Sequence, residues 1–159
     1  MTNRYLTEND KKEICSWKYD GEYSIYNLPS FEEMKKLQSG FMNPEREKNY
    51  RAFLIDDILI GYINLTEKEN GIFLGVGVHP DFCGKGYGKE ILKKACQIAE
   101  ELYSNEPLYL EVRTWNKRAI KCYEQVGFMI DGNAFERTTE IGKGDFYRMI
   151  KTLPSHSDQ

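Results

Sequence analysis

Apolar and polar positions along the chain follow two periods, and each stretch of one period predicts an element. Arg4 to Leu6 reads as a short strand, and Thr7 with Asp10 forms an N-cap pair that opens a helix toward Ser16. Trp17 to Leu28 is rich in aromatics, with Tyr19, Tyr23 and Tyr26. Ser30 and Glu33 make a capping box ahead of Phe31, Met34 and Leu37, which share one helical face. Tyr50 to Ile55 and Ile58 to Leu65 predict two strands joined as a hairpin at Asp56-Asp57. Asn70-Gly71 is a turn dipeptide leading into a strand from Ile72 to Val78. Gly75 and Gly77 interrupt that strand, and glycine there marks a bulge or a close backbone approach. Ile91, Leu92, Ala95, Ile98, Ala99 and Leu102 recur at helical spacing and give the clearest amphipathic helix of the chain. Leu108 to Arg113 predicts another strand. Asn116 caps a helix carrying Ala119, Ile120 and Tyr123, which Gly127 ends. Phe128 to Ile130 and Phe146 to Leu153 supply the last strands.

Hairpins first, then strand–helix–strand–helix, is the order of an α+β fold with a partly parallel sheet. The 159 residues suit one domain over residues 1–153, followed by a polar tail at 154–159 that is expected to be flexible. Hydrophobic residues at 40% and aromatics at 13% supply a core and exclude a disordered chain. Lys+Arg 22 against Asp+Glu 25 leaves a net charge of −3, which argues against nucleic acid as a partner. No apolar run approaches the roughly 20 residues that span a bilayer, so no membrane is expected. MTNRYLTENDKKE lacks the apolar core of a signal peptide. Cys15, Cys83, Cys96 and Cys122 show no CxxC spacing, so reduced thiols in a cytoplasmic protein are expected. With two histidines, His79 and His156, no metal site is expected.

The candidate chemistry begins between the fourth strand and the long helix, in VHPDFCGKGYGK, Val78 to Lys89. Gly84, Gly86 and Gly88 alternate there, which lets the backbone curl so that its N–H groups converge. The helix start adds partial positive charge, and Lys85 and Lys89 add full charges. Together these make an anion site suited to a pyrophosphate. A glycine turn merely joining strand to helix is the plainer alternative. The Walker A pattern is absent, because Gly84-Lys85 is followed by Gly86. The dinucleotide pattern GxGxxG is absent because its third glycine comes one residue early, at Gly88.

LGVGVHPDFCGKGYGKEIL resembles the acyl-CoA-binding signature of the GNAT superfamily of N-acyltransferases, usually written Q/R-x-x-G-x-G/A after a strand ending in Val-x-Pro. Gly86 and Gly88 fill the glycine positions, and Cys83 stands where the family carries Gln or Arg. LEVRTWNKRAIKCYEQVGF, Leu110 to Phe128, resembles the family's strand–Asn–helix–Tyr–GF segment. Within the family, this catalytic half is similar to the ribosomal-protein N-terminal-alanine acetyltransferases. The resemblance covers roughly Tyr50 to Leu153. It implies a mixed sheet of about six to seven strands, splayed between its two central parallel strands and flanked by about four helices.

It also implies acetyl-CoA as co-substrate, its pantetheine arm lying between Ile72–Val78 and Leu108–Arg113. The backbone of Val76, Gly77 and Val78 is expected to pair with that arm and aim an N–H at the thioester oxygen. Such a donor is typically worth about 2.7–4 kcal/mol in the transition state. Cys83, Gly84, Lys85, Gly86, Tyr87, Gly88 and Lys89 are expected to grip the diphosphate, with Cys83 contributing mainly backbone. Asn116 matches an asparagine that contacts the cofactor, although an N-cap is the commoner use of Asn there. Tyr123 matches the tyrosine beside the CoA sulfur, where it protonates or hydrogen-bonds the leaving thiolate; a core tyrosine is the plainer reading. A phenol near pKa 10 against a thiol near 8.5 makes complete transfer uphill by roughly 2 kcal/mol, so hydrogen bonding is the easier role.

Glu111, 12 residues before Tyr123, resembles the glutamate that those alanine acetyltransferases pair with the tyrosine, which implies a base that takes the amine proton, directly or through water. A surface glutamate pairing with Arg113 on the same strand face is its alternative. His79 is a second titratable group beside the strand end. Cys83 and Cys122 lack an obvious base for a ping-pong route.

The acceptor pocket is expected from Trp17–Met34 and from the last hairpin, Ala134–Tyr147. Trp17, Tyr19, Tyr23, Tyr26, Phe135 and Tyr147 would line it, with Glu22, Glu32 and Glu33 attracting a cation, although ordinary packing explains most of them. The implied activity is transfer of an acetyl group to a primary amine of a small molecule or peptide by direct attack in a ternary complex. A homodimer is compatible with that activity. The alternatives are a non-catalytic acyl-CoA sensor on the same fold and a domain using the glycine loop for another nucleotide.

Overall fold

A computed structural model describes residues 1–139 and 141–152; the expected tail at 154–159, and Leu153 at the end of the last expected strand, lie outside them. The described residues carry eight β-strands and four α-helices, one strand more than the pattern predicts. Parallel and antiparallel pairs are mixed, as an α+β fold requires. By backbone contacts the chain divides into two compact units. Met1–Asn64 with Val76–Gly88 form the first, and Leu65–Gly75 with the chain from Lys89 form the second.

In the first unit, β1 (Thr2–Tyr5) precedes α1 (Glu8–Ser16). The Thr7 hydroxyl accepts the Asp10 N–H at 3.0 Å and the Asp10 carboxylate accepts the Thr7 N–H at 2.9 Å, which satisfies two donors that a helix start leaves open. Arg4 also donates to Asp10 at 2.9 Å, so this buried acid is paired as well as capped. The aromatic stretch that follows contains a single 3-10 segment, Gly21–Tyr26. Ser30 caps α2 (Phe31–Leu37) through the Glu33 N–H. Leu37 departs from its expected buried face: it is 67% exposed. The helix stops there, at Gln38 in the left-handed conformation (φ 49°), one turn too early for its apolar stripe to close beyond Met34.

β2 (Tyr50–Ile55) and β3 (Ile58–Lys68) form the expected hairpin, and β1 adds to β2 antiparallel. Asp56 (φ 50°) and Asp57 (φ 64°) are both left-handed, the two-residue turn whose twist matches its strands. The core of this unit is Leu6, Ile14, Trp17, Met34, Phe41, Tyr50 and Leu54, with Phe31 and Tyr62 packed against it.

In the second unit, β4 (Gly71–Val78) begins at Gly71, whose φ of 137° and close approach to Pro107 leave no room for a side chain. α3 (Tyr87–Tyr103) buries Ile91, Leu92, Ala95 and Ala99, whereas Leu102, in its last turn, is exposed. β5 (Pro107–Arg113) buries Leu108, Leu110 and Val112 on one face and turns Tyr109, Glu111 and Arg113 to the other. α4 (Lys117–Val126), β6 (Met129–Ile130), β7 (Phe135–Thr139) and β8 (Gly142–Thr152) complete it. β8 runs antiparallel to β5 over seven residue pairs and also carries β6 and β7. β7 is the strand that patterning misses: three of its five residues are exposed, so it has no apolar alternation to detect. Among the described residues, no helix is long and apolar enough to cross a membrane.

Candidate active site

β4 and β5 are parallel, and their ladder consists of two pairs, Ile72↔Leu108 and Phe73↔Tyr109. β5 is thus matched residue for residue by β8 on one side, while its β4 ladder stops near the strand's start. The described pairing of β4 with β5 is thus short for strands of eight and seven residues.

In the first unit, the end of β4 is held from several directions. The His79 N–H donates to the Ile60 carbonyl at 2.8 Å. The Tyr19 hydroxyl donates to the Val78 carbonyl at 2.6 Å, and Cys83 Sγ lies 3.5 Å from the His79 carbonyl and 3.7 Å from that of Val78. The Val78 carbonyl, assigned by resemblance to the pantetheine arm, therefore already serves Tyr19. Burial first, and the nearby Cys83 second, push the Tyr19 phenol well above its usual range, so it remains a neutral donor.

Gly77 is explained by Tyr62. A Cβ at Gly77 would sit 2.4 Å from the Tyr62 ring, and that ring is surrounded by Trp17, Phe41 and Tyr50 at centroid distances of 6.0, 6.3 and 6.4 Å. Gly77→Ala is expected to destabilise the protein by about 1–3 kcal/mol through overpacking. Thermal melting should show a Tm fall of roughly 2–4 °C per kcal/mol, and Tyr62→Leu in the same chain should recover part of it. An unchanged Tm would remove this explanation for Gly77.

The glycine loop turns as its composition predicts. Gly84 (φ 75°) and Gly86 (φ 88°) are left-handed, and nothing lies within 4 Å of a Cβ at either, so conformation rather than crowding demands glycine. Such alternation turns successive N–H groups toward one side, ahead of the N-terminus of the 17-residue α3. Gly84, Lys85 and Gly86 are exposed, and Tyr87 and Gly88 half-buried. His79 is used structurally: its Nδ1 accepts the Asp81 N–H at 3.0 Å and its ring meets Trp17 and Phe82 edge-on at 5.1 and 5.2 Å.

In the second unit, Asn116 is the N-cap of α4, accepting the Ala119 N–H at 3.2 Å, and is buried. Gly127 ends the helix at φ 108°, and Lys151 Nζ donates to the Val126 carbonyl at 2.7 Å, where a cation complements the helix C-terminus. These two ends set the position of Tyr123. It is half-buried, with its ring edge-on to Phe128 at 6.2 Å.

Glu111 pairs with Arg137 of β7. Arg113, the partner that strand spacing offers, is instead buried, its guanidinium 4.7 Å over the Phe146 ring. Glu111 and Arg137 lie 26 residues apart, so no local pattern could announce the pair. Arg137 falls in the hairpin expected to help form the acceptor pocket, but no sequence pattern singled it out. Burial pushes the Cys122 thiol up, with Lys89 only partly opposing it, the opposite of what a nucleophilic thiol needs.

A glycine loop between a strand and a long helix, a short parallel ladder, and an Asn-capped helix bearing a tyrosine are the features that the acetyltransferase resemblance implies. Residues 11–128 match the model of the acetyltransferase (GNAT) family, and the chain belongs to that family. It is 25% identical over 151 residues to the spermidine N(1)-acetyltransferase of Vibrio cholerae, covering 91% of this chain and 81% of that one. It is 28% identical over 101 residues to an N-alpha-acetyltransferase of Sulfurisphaera tokodaii, covering 61% and 60%. Among the solved structures that share the fold are two acetyltransferases. A chimera of the Vibrio cholerae spermidine N-acetyltransferase superposes with a TM-score of 0.73 at 23% identity, covering 96% of each chain. The ribosomal-protein-S18-alanine N-acetyltransferase from Escherichia coli gives 0.67 at 20%, covering 96% of this chain and 94% of that one.

Proposed function

We propose that this acetyltransferase moves the acetyl group of acetyl-CoA directly onto a primary amine of a small molecule or peptide. The observation that carries the reading is the β4–β5 ladder that ends after two pairs, on the strand whose far end leads into the left-handed glycines of the α3 start. The backbone from Cys83 to Lys89, with the charges of Lys85 and Lys89, holds the diphosphate. Val76, Gly77 and Val78 present backbone to the pantetheine and thioester, and Asn116 contacts the cofactor beside its capping role. We read 1–153 as a single catalytic domain, and the family match over residues 11–128, which includes residues of both units, supports that reading.

The acceptor arrives as an ammonium and loses a proton to Glu111, directly or through water. Its nitrogen adds to the thioester carbon, and a backbone N–H of β4 stabilises the charge that develops on the oxygen. The C–S bond then breaks, the thiolate leaves with a hydrogen bond from Tyr123, and the second proton of the adduct nitrogen ends on the departing sulfur. The sum is N-acetylated amine, free CoA thiol and one released proton. Because Arg137 holds Glu111, the incoming amine has to displace a guanidinium from the base.

Relatives named for spermidine, spermine and thialysine support a small primary amine, and the N-alpha-acetyltransferase supports a peptide α-amine. Family membership weighs against a non-catalytic acyl-CoA sensor. Free thiols at all four cysteines suit a reducing cytoplasm. Mixing the protein with acetyl-CoA and a panel of spermidine, lysine and an alanine-first peptide should release free thiol with at least one of them. Failure of acetyl-CoA to bind at millimolar concentration would overturn the reading.

A further inference from the structure

The second unit carries an open surface groove of about 570 Å³ in which the proposed base is only one wall residue. Phe73 and Tyr109, register partners on β4 and β5, line it with rings meeting edge-on at 5.7 Å. Lys68 and Glu69, at the end of β3 and in the turn after it, line it together with Glu111 and Arg137. Arg148 braces this arrangement from beside it. Its guanidinium stacks 4.4 Å over the Tyr109 ring, and its terminal nitrogens reach the Asn70 carbonyl at 3.5 Å and the Asp131 carboxylate at 3.3 Å.

The lining therefore carries two cations, Lys68 and Arg137, and two carboxylates, Glu69 and Glu111, around an aromatic pair. A plain polyamine entering here meets two like charges, and a dicarboxylate meets the other two. A molecule with one amine, one carboxylate and a short methylene chain meets a partner for each part: opposite charges for its ends and aromatic faces for its stem. The Glu111–Arg137 pair can open for it. Glu111 is fixed in the middle of β5 with a side chain 20% exposed, whereas Arg137 stands on β7, which pairs with β8, and its side chain is 52% exposed. Exchange turns one ion pair into two, Glu111 with the acceptor's ammonium and Arg137 with its carboxylate.

We propose that this open groove is a carboxylate-reading acceptor subsite, and that the preferred acceptors are amines that also bear a carboxylate, amino acids with a side-chain amine being the simplest. Arg137 is then the residue that sets specificity. This rests on the acyl-transfer reading above and names its substrate class.

L-Lysine and cadaverine share one methylene chain and differ by a carboxylate. With acetyl-CoA and thiol release as readout, the wild type is expected to favour lysine by about tenfold or more in kcat/KM, mostly through KM. In Arg137→Gln the lysine-to-cadaverine ratio is expected to fall to about one. A wild-type preference for cadaverine, or an unchanged ratio in Arg137→Gln, would overturn the proposal. Calorimetric titration of both amines into the protein saturated with unacetylated CoA needs no turnover. Lysine should bind more tightly than cadaverine, and the difference should vanish in Arg137→Gln. If no amine releases thiol but lysine keeps that advantage, the acyl-transfer reading falls and the subsite stands; equal binding of the two amines removes the subsite.

Discussion

Glu111→Gln is expected to lower kcat/KM for the amine by on the order of 10²–10³, within the range by which a positioned base accelerates proton transfer. The amide keeps the shape of the side chain and still accepts a hydrogen bond from Arg137, so the hairpin contact survives. The ion pair it removes is part-exposed, Arg137 by half, and such pairs contribute about 0.2–1 kcal/mol, so Tm should hardly move. A large loss of rate with an unchanged melt separates a base from a structural glutamate. The pH profile gives an independent check. Without the base, only amine already deprotonated in solution reacts, so the variant's rate should climb about tenfold per pH unit toward the amine pKa, about 10.4 for a lysine type. The deficit is then largest at low pH and narrows as pH rises. Equal rates of wild type and variant at pH 7 would return Glu111 to a surface role.

Tyr123→Phe is expected to reduce kcat by about 10–100-fold and leave KM for acetyl-CoA within about threefold, the signature of an interaction made in the transition state. The ring stays, and with it the edge contact to Phe128, so folding should be retained. The hydroxyl matters because the thiolate leaves as an anion that needs a donor. An acyl donor whose leaving thiol is more acidic should therefore narrow the gap between variant and wild type, whereas loss of a merely packed tyrosine would affect all donors alike. A kcat equal to that of the wild type would end the assignment.

The parts of the candidate site legible in the chain are those made of consecutive residues. Gly84 and Gly86 announce left-handed backbone, because few other residues tolerate it, and both adopt it. Asn116 and Gly127 bracket α4 at the predicted positions, since a cap bonds to an N–H only three residues away. Gly77 is a half-legible case. Its presence predicts a bulge or a close approach, but the neighbour is the Tyr62 ring, fifteen residues earlier, and only the placing of β3 next to β4 in the sheet brings it there. The Glu111 partner was not legible at all. Arg113 is nearer in sequence and on the same strand face, yet it turns to Phe146, because β8 places an aromatic ring opposite it. β7 lies within the hairpin expected over Ala134–Tyr147 but leaves no apolar pattern for a related reason: a mostly exposed strand needs no apolar period to be stable when its partner supplies the ladder.

Local chemistry thus settles which segments turn, cap and coil, and it is enough to place this chain in its family, because anion loops and helix caps depend on residues within one or two turns of each other. Packing across distant strands settles which charges meet. That choice fixes Glu111 against Arg137 rather than Arg113, and sets them in the wall of an open, mixed-charge, aromatic-lined groove that no window of the chain contains. The physical reason is range: capping and backbone preference act over a few residues, whereas an ion pair depends on where the whole sheet carries its two side chains.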